Sequence, residues 1–342
     1  MNAFSSLLSS LPAAHGGYLG QTIALAVAVS WTVCALLSET VSRRLGAHVV
    51  NVLRMVLSLL FIGALLWVCT GSPLPPRADA TTWGWLLASG LVGYVFGDYC
   101  LFNAYLLIGS RFGQLFMTLA PAVSAVAGWL LLGEQLSAQA LLGMAVTTTG
   151  IAVSILGRGA PDADEAGRGT RRRVRLNLPA RGVLLGIGAG VGQGLGLTLS
   201  AVGLHHYAAG WAHGVAATAP TAAEHLRWLL PFAATQMRAV AGLPGFLLLL
   251  FLAGKGGALR RACTDGRGWL LMAATVVFGP FVGVSLSLMA TQYTSTGVAM
   301  TIMSLSPVLI LWPAHVLFGQ RVTRREVLGA LISVAGVALF FV

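Results

Sequence analysis

Charge is what this chain has least of. Only 9% of its 342 residues are Asp, Glu, Lys or Arg, against about 25% in a soluble domain. A water-facing surface cannot be built from that composition, whereas a hydrocarbon-facing one can. Lysine is nearly missing, with Lys255 the single one among 21 basic residues. Of four cysteines, Cys34, Cys69 and Cys100 fall in apolar runs and Cys263 in a basic loop, so no disulfide framework or zinc site is spelled out. A phosphate-binding loop of the Walker type is lacking too, and with it direct coupling to ATP. The stretch Met1–Gly20 has no basic residue, so it lacks the charged region of a cleavable signal peptide. It is expected to be a short tail leading into an uncleaved first span.

What remains is a chain that is 56% hydrophobic, with a mean hydropathy of +0.82 and 43 glycines. Small residues let membrane helices approach closely where no hydrophobic force drives them together. Long apolar runs, rather than alternating ten-residue strands, indicate a helical bundle and not an outer-membrane barrel. The net charge of +11 would otherwise raise nucleic acid as a partner. The charges sit in loops between apolar spans, so they report membrane topology instead.

The chain is also written twice. Residues 82–153 and 268–339 correspond at an offset of 186, pairing Trp83 with Trp269, Gly93 with Gly279, Gly97 with Gly283 and Ala104 with Ala290. The correspondence continues through Pro121 and Pro307, Gly133 and Gly319, Gly143 and Gly329, and Gly150 and Gly336. A span needs about 20 apolar residues to cross ~30 Å of hydrocarbon. Ten are expected, at 19–38, 49–69, 83–107, 112–132, 138–157, 182–203, 231–253, 268–290, 296–318 and 323–342. The fold class is therefore all-α, a polytopic membrane protein of about ten transmembrane helices in two five-helix repeats. An odd number of spans per repeat turns the second copy upside down, as in inverted-repeat carriers.

The domain reading is a tail at 1–18, a first repeat at 19–157, an Arg-rich linker at 158–181 and a second repeat at 182–342. An insertion of about 22 residues within 204–231 is inferred from the change in repeat offset. It carries His205, His206, His213, Glu224 and His225, whose spacing fits no standard metal-ligand pattern, and an irregular external flap with solvated histidines is expected. Seventeen basic residues lie in loops after odd-numbered spans and only Arg77 and Arg227 in loops after even-numbered ones. The positive-inside rule then puts odd-span loops in the cytoplasm of a bacterial inner membrane, with both termini outside.

The repeat ends carry a family likeness. LAPAVSAVAGWLLLGEQLSAQALLGMAVTTTGIAV (Leu119–Val153) and LSPVLILWPAHVLFGQRVTRREVLGALISVAGVAL (Leu305–Leu339) share a proline-bearing span, a Gly-Glu or Gly-Gln turn and a glycine-punctuated last span. In these features, and in GDYCLFNAYLLIGSR (Gly97–Arg111), the chain resembles the EamA-type members of the drug/metabolite transporter superfamily over nearly its whole length. The resemblance implies a secondary carrier, with export favoured over uptake and no cofactor. Two features depart from it. The family's termini are usually cytoplasmic, and the second turn here reads Gly319-Gln320, so Glu134 has no acidic mirror.

Ionisable residues inside spans mark function by default, because each costs about 2.5–3.5 kcal/mol on insertion scales. Three qualify, namely Arg54, Asp98 and Arg238. Asp98 lies about 22 Å into span 3 at 1.5 Å per residue. It is a candidate to bind a substrate amine or a proton, with the two arginines receiving carboxylates, one near each mouth. The alternative is structural: Arg54 pairs with Asp98 while Arg238 caps carbonyls. Span 6 carries one glycine ladder at 182, 186, 190 and 194 and another at 188, 192 and 196, predicting close packing on two sides and leaving Gln193 as its central polar side chain. Trp31 is its rough counterpart in span 1, an aromatic platform or an interface anchor. Gln292 and Tyr293, ending span 8, are possible rim contacts. Pro121, Pro280, Pro307 and Pro313 are expected to kink spans lining a wet cavity. Ser137 and Thr323 with Glu326 read as helix caps.

The function expected is an integral membrane carrier moving a small organic metabolite or drug-like solute by alternating access, with protons as a coupling ion in one version. The partners are that solute and the bilayer, with no nucleic acid and no metal. Two other classes stay open: a membrane-embedded enzyme acting on a lipid-linked substrate, and a non-transporting scaffold using the Arg-rich linker.

Overall fold

Spans 5 and 10, the last helices of the two repeats, show how the halves are related. The structure is a computed structural model that describes residues 18–101, 103–104, 107–108, 116–157, 179–216, 227–262, 265–309, 313, 316 and 323–341. Span 5 is the helix Ala138–Gly157, and span 10 is Arg324–Ala338 with a closing 3-10 turn, Leu339–Phe341. Gly143 lies against Gly336 and Gly150 against Gly329. Because Gly143 and Gly150 are the repeat equivalents of Gly329 and Gly336, each contact is the image of the other. Equivalent helices packing antiparallel mean that the repeats are inverted. The backbones nearly touch: a Cβ on Gly150 would lie 2.6 Å from Ser333 Oγ, and one on Gly336 would lie 2.9 Å from Thr147 Cα.

The same symmetry recurs in a second pair of contacts. Span 3 packs on span 6 (Ala180–Ala216) through Gly97 on Gly192 and Gly93 on Gly196. Span 8 packs on span 1 (Leu19–Leu45) through Gly283 on Trp31 and Gly279 on Cys34. The second ladder of span 6 thus meets span 3, while Gly186, Gly190 and Gly194 of its first ladder meet span 4 at Phe116, Ala120 and Val123. Both sides are used, as the two glycine stripes require.

Spans 3 and 8 also share an irregularity. Span 3 begins as Ala80–Ser89 and widens into a π-helical stretch, Gly90–Asp98. Span 8 begins as Gly266–Val276, widens over Val277–Val284 and ends as Ser285–Ala290. A π turn misaligns the backbone ladder and is often found at functional sites. Here a side chain from the other repeat takes up a carbonyl in each. Gln193 Nε2 donates to Gly93 O at 3.2 Å, and Ser30 Oγ donates to Phe278 O at 2.7 Å.

Spans 4 and 9 are interrupted in matching places. The helix Ala120–Leu132 follows a turn at Thr118–Leu119, and Ser306–Leu309 follows a turn at Ser304–Leu305 after Thr296–Met303. Pro121 and Pro307 therefore start new segments rather than kink continuous ones, since proline fits the first turn, where its missing N–H is not needed. Span 2 is Ala47–Thr70 and span 7 is Leu230–Leu252.

Among the described residues, five helices are long and apolar enough to cross a membrane, namely Leu19–Ser38, His48–Thr70, Ala180–Trp211, Arg227–Leu252 and Gly266–Ala290; Ala120–Leu132 and Ala138–Ser154 are shorter apolar ones. All regular structure among the described residues is helical. Trp67, Val68, Trp129, Leu130, Leu252 and Leu270 face outward, while Ile62, Leu66, Leu86, Tyr207 and Met237 are fully buried. That distribution suits lipid as the solvent.

One expectation is corrected. Span 6 continues as a helix to Ala216, so the segment beyond Leu204 is not an irregular flap up to that point. The sequence there has no proline, and Tyr207 and Trp211, four residues apart, bury one face. Tyr207 donates its hydroxyl to Pro76 O at 2.8 Å. His205 and His206 are exposed. Glu224 and His225 lie outside the described residues, as do residues 1–17 of the tail and 158–178 of the linker. The caps form as read: Ser137 Oγ accepts from Ala140 N at 3.1 Å, and Thr323 and Glu326 complete a capping box.

Replacing Gly336 with alanine is expected to cost about 1–3 kcal/mol through overpacking at the seam. The control, Gly84→Ala, has open space around its Cβ and should gain up to ~1 kcal/mol from helix propensity. Thermal unfolding of the two variants in detergent measures the difference.

Candidate functional site

The polar centre of the molecule sits where spans 2, 3, 6 and 7 meet. Asp98 ends the π-helical stretch of span 3 and is only 7% exposed. Its Oδ2 accepts from Arg54 Nη2 of span 2 at 2.5 Å. Its Oδ1 accepts from Gln193 Nε2 of span 6 at 2.8 Å. Gln193 thus links the carboxylate to the open carbonyl of Gly93. Glycine is needed at Gly97, where a Cβ would press within 3.1 Å of the Gln193 amide. The glycine packing of spans 3 and 6 and the polar linkage are one construction.

Arg238 occupies the other side of this centre. It is 5% exposed, and its guanidinium carbon lies 4.5 Å from the centroid of the Tyr94 ring. Its terminal nitrogen packs on Gly93, where a Cβ would approach to 3.1 Å. Tyr94 is about one helical turn before Asp98 along the same stretch of span 3. The structure thus gathers Arg54, Asp98, Gln193 and Arg238 into one cluster instead of spreading the two arginines to opposite mouths. The reason is the π-helical stretch, whose face presents Gly93, Tyr94 and Asp98 to spans 2, 6 and 7 together.

Two cations and one anion share this volume, and among the described residues only Arg54 has a carboxylate partner. A buried ion carries a penalty of several kcal/mol, and the Tyr94 face offsets ~2 kcal/mol of that for a desolvated cation. Arg238 is therefore undercompensated. Its Nε, Arg54 Nε and the Tyr94 hydroxyl are all buried without a hydrogen-bond partner among the described residues. Tyr94 was not singled out from sequence. Its signal was the four-residue spacing to the one deep carboxylate.

The other expected site residues are placed apart. Trp31 packs on Gly283 in the symmetry-related position of Gln193 on Gly97, and so belongs to the span 1–span 8 contact. Gln292 lies in the turn Thr291–Tyr293 beyond span 8, about 10 Å along the axis from Ser285 at 1.5 Å per residue. Ser285 is level with span 7, donating to Thr235 Oγ1 at 3.2 Å. A ladder of rings, Phe61–Phe281–Phe232–Trp228, joins spans 2, 8 and 7 with centroid separations of 6.3, 5.6 and 5.9 Å.

Links between the halves close both ends. Glu134 does more than end its own helix turn. Its two carboxylate oxygens accept from Thr296 N at 3.0 and 2.9 Å, and Oε2 also accepts from Thr296 Oγ1 at 2.9 Å. It caps the first helix of span 9 in the other repeat. At the opposite end Arg44 of span 1 pairs with Asp265, the N-cap of span 8. The Arg44 guanidinium and the Gly268 N–H hold the Asp265 carboxyl below the usual carboxylate range. Its stabilising contribution is present at neutral pH and fades only as pH falls through that lowered value.

Comparison with known proteins agrees with the geometry. The profile of the EamA-like transporter family matches residues 18–156 and 207–342. No curated protein matches. A solved structure, described only as the crystal structure of a protein, aligns over 94% of this chain and 96% of its own at a TM-score of 0.62. At 16% identity it shows the fold alone.

The Arg54–Asp98 pair should behave as a coupled unit. Asp98→Asn strands Arg54 and is expected to cost about 3–5 kcal/mol, whereas adding Arg54→Gln should recover most of it. A double-mutant cycle by thermal unfolding measures the coupling, and simple additivity would show that the two residues do not interact.

Proposed function

Because the chain belongs to the EamA-like transporter family, we propose that it is a secondary carrier in which the Arg54–Asp98–Gln193–Arg238 cluster forms the substrate site. The family makes it a membrane transporter of the drug/metabolite superfamily. The observation that supports placing the site at this cluster is ionised residues buried where the two inverted repeats meet. Charges at that depth are costly and are normally kept for a substrate or ion path. In inverted-repeat carriers, the site lies at the repeat interface near the middle of the bilayer, flanked by discontinuous helices. Spans 4 and 9, broken at Pro121 and Pro307, supply such helices.

Transport proceeds by rocking of the two repeats. The outer link, Glu134 to Thr296, and the inner link, Arg44 to Asp265, each join one repeat to the other, so each must open on one side of the cycle. The solute is a small organic metabolite or drug-like molecule and export is the favoured direction. Energy comes from the solute gradient or from protons. The odd-span loops face the cytoplasm of a bacterial inner membrane and the termini face outside, a sidedness that the arginine distribution supports.

The double variant Arg54→Gln/Asp98→Asn separates structure from transport. In proteoliposomes it should insert and fold like the wild type yet lose at least tenfold in substrate-dependent flux. Wild-type flux in that variant would remove the cluster from the transport path. Orientation has its own readout: cysteines introduced at Asn2 and Val342 should react with an impermeant maleimide added outside intact cells. Labelling confined to inverted vesicles would reverse the topology.

A further inference from the structure

Which charge the solute carries follows from how the cluster is filled. Both oxygens of Asp98 already accept hydrogen bonds, from Arg54 at 2.5 Å and from Gln193 at 2.8 Å. The charge of Asp98 is therefore already paired with Arg54, and a substrate amine would compete with that guanidinium for it. Arg238 is the opposite case. It is 95% buried, lies over the Tyr94 ring at 4.5 Å, and has no carboxylate against it among the described residues. Around it the unused polar atoms include three donors, Arg238 Nε, Arg54 Nε and the Tyr94 hydroxyl. Two guanidiniums and one carboxylate leave an excess of one positive charge.

We propose that Arg238, with Tyr94 beside it, is the binding point for the carboxylate of a monoanionic organic substrate. The inference rests on the reading of this cluster as the transport site and adds the class of solute. One anion neutralises the cluster, and its oxygens accept from the buried donors that now lack partners. A dianion would reverse the excess and repel Asp98. Beyond the charge, Phe61 lies seven residues along span 2 from Arg54, about 10 Å at 1.5 Å per residue. It opens the ring ladder with Phe281 and Phe232, on which the apolar body of the solute rests.

Thermal unfolding of the purified full-length protein tests this with benzoate, benzylamine and benzyl alcohol, which share a ring and differ in charge. Ligand that binds the folded state raises the midpoint in a saturable way. Benzoate should do so and the other two should not. Arg238→Gln should weaken the benzoate response at least tenfold, Arg238→Lys should retain part of it, and Tyr94→Phe should weaken it three- to tenfold. A saturable response to benzylamine in place of benzoate overturns the proposal, as does no response to benzoate. An undiminished benzoate response in Arg238→Gln also overturns it. Should that variant fail to fold, unchanged responses in both Arg238→Lys and Tyr94→Phe overturn it instead. Flux separates this claim from the carrier reading. Benzoate binding without flux of any solute removes the carrier and leaves the anion site, whereas flux of amines without a benzoate response does the reverse.

Discussion

Holding two guanidiniums and a carboxylate together inside a lipid-facing bundle is the constraint on which the rest of this structure depends. The Arg54–Asp98 pair can exist at that depth only if both carboxylate oxygens are satisfied, which Gln193 completes from the other repeat. For Gln193 to reach them, spans 3 and 6 must nearly touch. They can because Gly93 and Gly97 meet Gly196 and Gly192, with no side chain between the backbones. The glycines are thus placed by the chemistry of the pair as much as by helix packing.

Inversion turns this local solution into a two-sided one. Each close contact in the first half has an image in the second: Gly97 on Gln193 answers Gly283 on Trp31, and Gly143 on Gly336 answers Gly150 on Gly329. The chemistry is not mirrored. Where one seam has an amide serving a carboxylate, the other has an indole against a glycine. A symmetric scaffold with an asymmetric site suits a carrier, which needs two equivalent conformations and one binding place.

The fold was legible in the sequence because duplication and apolar length are coarse signals that survive without side-chain detail. The ten segments, the two-sided glycine ladders and the caps at Ser137 and Thr323 all rest on local chemistry. The position of Arg238 was less legible. Counting along a regular helix places it two turns from one face of the membrane, but only the π-helical stretch at Gly90–Asp98 brings Tyr94 under its guanidinium. Glu134 shows the same limit. The sequence places it only in a Gly-Glu turn, whereas its partner Thr296 is 162 residues away in the other repeat. The helical extension to Ala216 was missed because three histidines and two glycines (Gly210 and Gly214) masked the Tyr207–Trp211 stripe.

The most direct test of the account asks whether the cluster is reached from both faces of the membrane in turn. Ser58 is buried one turn from Arg54 on span 2, with its hydroxyl unpartnered. A Ser58→Cys variant in a background lacking the four natural cysteines reports on that position with membrane-impermeant thiol reagents. The account predicts labelling from the cytoplasmic side and from the external side, with saturating solute shifting the balance between them. Labelling from one side only under every condition, or from neither, would contradict alternating access at this site.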